Sequence, residues 1–174
     1  MKNLLIIIIL ALSSQVISAQ INRTFWGVTL GTSTPSQVKS MLVQKGYYVE
    51  KEPDGALCVK VNNVRFGGAV WTYISFLFVN NQLSQVWFQN NEKQSPIPIE
   101  NSYDLLKDNL DKKYSKYYLS LRLDEQDEKK SYYSDEKTDI LLNVRKYHNI
   151  RYVSLSYEDL YLNRVKANKD KDEL

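Results

Sequence analysis

Over residues 47–90 the sequence pattern has a period of two, and turn-forming residues interrupt it at short intervals. A period of two residues is typical of a strand with one buried face. Asparagine and glycine tolerate the positive φ that two-residue hairpin turns need. We therefore expect an antiparallel meander of about four strands, with a bulge or break at Gly67-Gly68. The predicted turns are Pro53-Asp54-Gly55, Asn62-Asn63 and Asn80-Asn81.

A helix is predicted immediately before the meander, over residues 35–45. Thr34 is a good N-cap, Pro35 suits the first helical position, and Gln37 completes a capping box three residues after the cap. Apolar residues then recur at helical spacing. Gly46 supplies the left-handed residue that commonly ends a helix.

The second half of the chain repeats this order of elements. Residues 91–100 contain two prolines and are predicted to be a linker, and helical spacing returns over residues 100–114. Alternation then resumes, which predicts strands at residues 119–123, 138–147 and 150–157. The pattern indicates two units of similar plan, at residues 25–91 and 98–163.

The segment GVTLGTSTPSQVKSMLVQKGY, residues 27–47, resembles the start of certain small exported bacterial proteins. In those proteins Gly-x-x-Leu-Gly-x-Ser/Thr precedes a capped helix that ends in Lys-Gly-aromatic. The helix-plus-meander plan is similar to the beta-lactamase-inhibitor-protein-like folds found among them. The resemblance implies an α+β fold, an antiparallel sheet packed by two helices, that serves binding or assembly. It assigns no functional residue to this chain.

The N-terminus has the layout of a secretory signal peptide. Lys2 precedes a run of nine apolar residues, too short to span a bilayer, and small and polar residues follow as far as Ala19. We expect cleavage after Ala19, a single domain over residues 20–163, and a flexible charged tail over residues 164–174. This predicts a periplasmic or secreted protein with no stable membrane span.

Charge and cysteine content limit the possible functions. Cleavage would remove one cation, so the net charge would fall from +3 to about +2, which argues against nucleic acid as a partner. The single cysteine, Cys58, cannot form an internal disulfide, so stability must come from packing. A mature chain of 155 residues suffices for that, since a domain of this size buries about 70% of its unfolded surface.

The sequence offers few groups for catalysis. The only histidine, His148, lies in a predicted turn with Asn149, and Cys58 lies in an apolar strand where it is expected to be a buried hydrophobe. A small hydrolase using carboxylates or Cys58 is one alternative function, and a Cys58–His148 dyad would be one basis for it. The sequence predicts no cofactor or metal site, and an acidic run is interpreted as a solvated hairpin tip. That run comprises Asp124, Glu125, Asp127 and Glu128, followed by Lys129 and Lys130.

The hairpin around Asn80-Asn81 carries the candidate binding site. Pairing Val79 with Gln82 would place Tyr73 opposite Phe88 and Ile74 opposite Trp87, which leaves both faces apolar. A helix layer would cover one face, and the second unit, a dimer mate or a partner would cover the other. An exposed aromatic patch would dock a protein or a carbohydrate. The predicted binding residues are Phe76, Gln85, Trp87 and Gln89.

Two further signals bear on cellular location. The last four residues, Lys171, Asp172, Glu173 and Leu174, match a retention signal of the endoplasmic reticulum, and Asn22 begins a glycosylation sequon. Both would matter in a eukaryotic secretory path, and a luminal protein is the second alternative. The preferred expectation is an exported, non-enzymatic binding or envelope-assembly protein.

Overall fold

The computed structural model of the chain describes residues 20–119 and 128–172. The predicted signal peptide, residues 1–19, lies outside these ranges, as do residues 120–127, Glu173 and Leu174. The described elements are β1 (Thr24–Phe25), β2 (Val28–Thr29), α1 (Pro35–Gln44), β3 (Glu50–Lys51), β4 (Leu57–Phe66), β5 (Ala69–Val79), β6 (Gln82–Asn91), α2 (Ile99–Tyr114), a short 3-10 helix (Ser115–Tyr117), β7 (Tyr118–Leu119), β8 (Lys129–Ser134), β9 (Thr138–Tyr147), β10 (Ile150–Asp159) and α3 (Leu160–Asp172).

Eight strands form one antiparallel sheet in the order β3-β4-β5-β6-β10-β9-β8-β7, while β1 and β2 form a separate small hairpin. The predicted α+β fold with an antiparallel sheet is confirmed. Helices α1 and α2 occupy the two predicted helical regions, and α3 is an additional helix that the sequence pattern did not predict.

The sheet has an approximate twofold arrangement about its centre. A helix followed by four strands occurs twice, and the last strands of the two units, β6 and β10, lie side by side and antiparallel. Phe88 pairs with Leu155 at the midpoint, flanked by the pairs Val86–Tyr157 and Asn90–Val153. Because these side chains are buried, the two units share one core.

The turn between β4 and β5 lies at Gly67-Gly68, where the sequence predicted a bulge or break, and not at Asn62-Asn63. Gly67 and Gly68, with φ of 66° and 92°, form the two-residue turn between β4 and β5. The predicted turn at Asn62-Asn63 is wrong, since β4 runs through these residues with an irregularity in register between Lys60 and Val64. Two consecutive positive φ angles cost glycine less than asparagine, so the glycine pair takes the turn. The turns at Asn80-Asn81 and His148-Asn149 are confirmed.

Helix α1 begins as its sequence predicts. The Gln37 amide donates to the Thr34 hydroxyl, and the Gln37 side chain accepts from the Thr34 amide at 2.9 Å, which completes the capping box. Gly46 follows the helix with φ of 79°. Val38 and Leu42 are buried in the common core.

Helix α2 presents a row of buried residues to the same core. The row has the predicted helical spacing, and two of its tyrosines also form hydrogen bonds. Tyr103 bonds with the hydroxyl of Ser131 on β8 at 2.7 Å, and the hydroxyl of Tyr114 accepts from the backbone amide of Asn22. The buried row is Tyr103, Leu106, Leu110 and Tyr114.

Residues 21–33, here called the N-terminal segment, cross both units. Ile21 is buried, and its amide donates to Asp135 at 2.9 Å. The Arg23 guanidinium pairs with Asp159 at 2.5 Å and also donates to Thr138. At the other end of the segment, Gly31 and Ser33 bond with the backbone of Leu83 on β6. The segment thus fastens β6 of the first unit to the β8–β10 region of the second.

The chain after residue 159 forms helix α3, which covers most of the range predicted to be a charged tail. Asp159 accepts from the Leu162 amide at 2.8 Å, a bond that stabilises the first turn of the helix. Leu162 is buried, and Lys169 donates to the side chain of Asn80 at the β5–β6 turn. Part of the predicted retention signal, Lys171 and Asp172, therefore belongs to a helix.

Candidate functional site

The candidate site lies on the face of the sheet that points away from the core, here called the outer face. On β5 and β6 this face carries the cross-strand pairs Tyr73–Gln89, Ser75–Trp87 and Leu77–Gln85. The intervening pairs, such as Ile74–Phe88, point into the core and are fully buried. The sheet therefore has one apolar face and one mixed face, in contrast to the two apolar faces predicted from the sequence.

The predicted pairing in this hairpin is wrong by one residue beyond its tip. Val79 pairs with Gln82 as expected, but Leu77 pairs with Gln85, which leaves Ser84 as an extra residue on β6. The bulge lies where the N-terminal segment bonds with Leu83, and the Ser84 hydroxyl donates to the Leu77 carbonyl. A contact made by a distant part of the chain thus accompanies the shift in register.

The shift divides the predicted binding residues between the two faces. Phe76 pairs with Val86 and is fully buried in the core, so it cannot share a binding surface with Trp87. Gln85, Trp87 and Gln89 lie together on the outer face, and all three are partly exposed.

Trp87 forms the aromatic centre of this face. The Tyr73 ring meets it edge to face, with 5.9 Å between ring centroids and an interplanar angle of 76°. Beside Trp87 a shallow depression of about 270 Å³ continues onto β9 and β10. The second unit contributes the partly exposed Leu141 and Asn143 and the exposed Arg145 to its lining. The depression thus combines apolar, amide and cationic groups.

A carboxylate bounds one side of the depression. Glu158 accepts hydrogen bonds from Gln85 at 2.7 Å, Ser156 at 3.2 Å and Asn163 of α3 at 2.6 Å. Burial raises the pKa of Glu158, Asp139 adds to the rise, and the bonds from Ser156 and Asn163 oppose it. The hydrogen bond to Glu158 holds the Gln85 amide in a fixed position at the edge of the site.

Cys58 and His148 do not form the dyad that a hydrolase would need. Cys58 is buried on β4, and its thiol donates to the Ser75 hydroxyl at 3.4 Å. His148 is exposed in the β9–β10 turn, where its ring contacts that of Tyr147. Strands β4 and β9 are separated by three others, so the two residues lie roughly 19 Å or more apart at about 4.8 Å per strand.

The acidic run is only partly described. Asp124, Glu125 and Asp127 lie outside the described residues, whereas Glu128 pairs with Lys130 at 2.5 Å. Lys129 and Lys130 begin strand β8, so the predicted hairpin tip does not extend to these two residues. Within the described ranges no three or more histidine, cysteine, aspartate or glutamate side chains gather as metal ligands would.

The contribution of the second unit to the outer face is not among the features predicted from the sequence. Leu141, Asn143 and Arg145 alternate along the predicted strand at residues 138–147, so their shared face could have been recognised. Their proximity to Trp87 could not, because it depends on the β6–β10 pairing.

Among residues 20–119 and 128–172, no helix has the length and apolar character needed to cross a membrane. Comparison of this chain with known protein families, curated proteins and solved structures gives no significant match to any of them.

Proposed function

We propose that this chain is an exported, non-enzymatic binding protein whose outer face docks a partner protein. The observation that carries the proposal is the composition of that face, on which Trp87 contacts Tyr73 and lines a depression together with Leu141 and Arg145. Tryptophan, tyrosine and arginine are the residues that contribute most to binding energy at protein interfaces.

The breadth of the face favours a protein over a small molecule. The depression beside Trp87 is shallow and is shared among strands β5, β6, β9 and β10, whereas sites for small ligands are concave and mostly apolar. Helix α3 borders the face at one end, where Asn163 bonds with Glu158. A partner extending from Trp87 toward Arg145 would contact both units of the sheet.

Export is supported by the signal-peptide pattern and by the position of the first anchored residue. Ile21 is buried and bonds with Asp135, so a chain cut after Ala19 would retain this contact. The hydrolase alternative has less support because Cys58 is buried and distant from His148. No feature of the described residues favours the luminal alternative over a bacterial envelope protein.

Site-specific photocross-linking in the native cells would test the proposal. A photoreactive residue would replace Gln89 on the outer face in one variant, and the exposed Asp108 of α2 in a matched control. We expect one defined protein to cross-link from position 89 and not from position 108. Trp87→Ala in the Gln89 variant should reduce that product at least tenfold while the circular dichroism spectrum is retained.

Three results would contradict the docking of a different protein on the outer face. A product consisting of two copies of this chain would indicate a homodimer. Saturable binding of oligosaccharides that depends on Trp87, without any protein product, would indicate a carbohydrate ligand. Equal cross-linking from both positions, unaffected by Trp87→Ala, would exclude the outer face as the docking surface.

A further inference from the structure

A second cavity lies on the core side of the sheet, between α2 and the β4–β5 turn, and has a volume of about 250 Å³. Its walls are mainly apolar and include Phe66, Leu106, Leu110 and Leu155. This volume is slightly below the roughly 300 Å³ at which sites for drug-sized ligands begin. The cavity would therefore accept a compact apolar body, smaller than a drug-sized molecule.

Gly67 helps to keep the cavity open. A Cβ atom at this position would lie 3.3 Å from a methyl carbon of Leu106 and 3.8 Å from one of Leu155, both of which line the cavity. Asn109 donates to the Gly67 carbonyl at 3.0 Å, which holds the turn against α2. The opening is therefore part of the packed structure of the turn.

The Tyr157 hydroxyl is a polar group that the fold leaves available to the cavity. Tyr157 is 5% exposed and lines the cavity, and none of the hydrogen bonds found among the described residues involves its hydroxyl. No fully buried side-chain oxygen in the described ranges lacks a partner, so this hydroxyl keeps some access to solvent, and the cavity that Tyr157 lines is the open space beside it. Burial raises the pKa of Tyr157, and Tyr114 adds to the rise. The hydroxyl therefore remains a hydrogen-bond donor at neutral pH.

Two further groups complement Tyr157 in the cavity lining. The Tyr114 hydroxyl accepts from the Asn22 amide, which leaves its own hydrogen for another bond. Lys113, the residue before Tyr114 on α2, is exposed, and its ammonium group lies 5.1 Å from the centre of the Tyr114 ring. None of the ion pairs between described residues includes Lys113. Two phenols and a cation together suit a carboxylate.

We propose that this cavity binds a small monocarboxylate with an alkyl body, which contacts the leucine walls while its carboxylate accepts from Tyr157 and pairs with Lys113. The site lies on the opposite side of the sheet from the outer face. Binding of a carboxylate in this cavity does not depend on the proposed protein partner. The cross-linking experiment and the octanoate titration can therefore fail independently of each other.

Isothermal titration of the mature chain, residues 20–174, with octanoate would test the site. We expect saturable binding of one octanoate per chain. Tyr157→Phe should weaken it at least about tenfold, because the change removes a hydrogen bond to a charged group. Lys113→Gln, an exposed change, should also weaken it. Tyr103→Phe is the matched control, since its hydroxyl bonds with Ser131 and Tyr103 does not line this cavity.

The charge of the probe provides the second comparison. Octanol has the same alkyl chain without the carboxylate, and octylamine carries the opposite charge, so both should bind at least tenfold more weakly than octanoate. The proposal would be overturned by an absence of saturable octanoate binding. It would also be overturned by equal affinities for octanoate and octylamine, or by unchanged octanoate affinity in both Tyr157→Phe and Lys113→Gln.

Discussion

Gly31 lies where the partly buried ion pair between Arg23 and Asp159 approaches the backbone. Its φ is 80°, and a Cβ atom there would lie 2.6 Å from a carboxylate oxygen of Asp159 and 2.8 Å from a guanidinium nitrogen of Arg23. Gly31→Ala should therefore destabilise the protein by at least about 2 kcal/mol, from the left-handed backbone and the displaced ion pair together. Urea unfolding followed by circular dichroism would measure the loss.

Gly27 provides a matched control for this prediction. Its φ is 92°, but a Cβ atom would meet no atom of the described residues within 4 Å. Gly27→Ala should cost only the backbone strain, about 1–2 kcal/mol. Equal losses for the two variants would mean that the Arg23–Asp159 pair does not require glycine at position 31. The two glycines of the Gly-x-x-Leu-Gly pattern would then have only a conformational role.

Asp111 should make the stability of the protein sensitive to acid. Burial alone would raise its pKa, but hydrogen bonds from Lys107 and from the buried Tyr133 lower the pKa overall. A lowered folded-state pKa stabilises the protein above the unfolded value, and this contribution is lost as the pH falls below about 3.9. Asp111→Asn should therefore reduce the loss of stability between about pH 5 and pH 2. Thermal unfolding across this range would measure it, with the exposed Asp108→Asn as the control.

For single elements, local sequence signals predict the structure correctly only where no contact from a distant part of the chain changes it. Helix α1 carries its cap, its first-turn proline and its terminal glycine in its own sequence, so its position was predicted to within a residue. The bulge at Ser84 lies beside bonds from the N-terminal segment to Leu83, and this contact cannot be deduced from the hairpin. Trp87 was consequently assigned the correct glutamine neighbours but the wrong aromatic partner, Phe76.

Helix α3 was missed because its sequence is mostly polar and its stabilising contacts involve other elements. Leu162 is 2% exposed, and Asp159 of β10 caps the helix. Leu162→Ala should reduce the free energy of unfolding by about 2–5 kcal/mol, while the neighbouring Tyr161→Ala, at a position 73% exposed, should change it by less than about 0.5 kcal/mol. Chemical denaturation of both variants would measure the difference. Similar small effects would indicate that residues 160–172 are not packed on the sheet.

At the scale of the whole molecule, the pairing of β6 with β10 joins two units whose repetition is visible in the sequence. The order of helix and strands indicates two similar units, but no sequence signal specifies which strands meet between them. The observed pairing aligns Phe88 with Leu155, and the N-terminal segment adds the Arg23–Asp159 bond between the units. Leu141 and Arg145 reach the candidate site only as a result of this pairing.

The shared core predicts that the two units unfold together. All three tryptophans, Trp26, Trp71 and Trp87, belong to the first unit, so their fluorescence reports on that unit while circular dichroism reports on both. Leu142→Ala removes a fully buried side chain from the second unit and should cost about 2–5 kcal/mol. If unfolding is cooperative, this change lowers the urea midpoint measured by fluorescence as much as the one measured by circular dichroism.

Leu105→Ala, a change at a position on α2 that is 42% exposed, is the control and should move neither midpoint appreciably. A fluorescence midpoint that stays at the wild-type value in Leu142→Ala, while circular dichroism shows an earlier transition, would mean that the first unit folds on its own. The β6–β10 pairing would then be a docking contact between two separately stable units. In that case a partner bound across Trp87 and Arg145 would stabilise the contact between them, and its binding would depend on how firmly the units are joined.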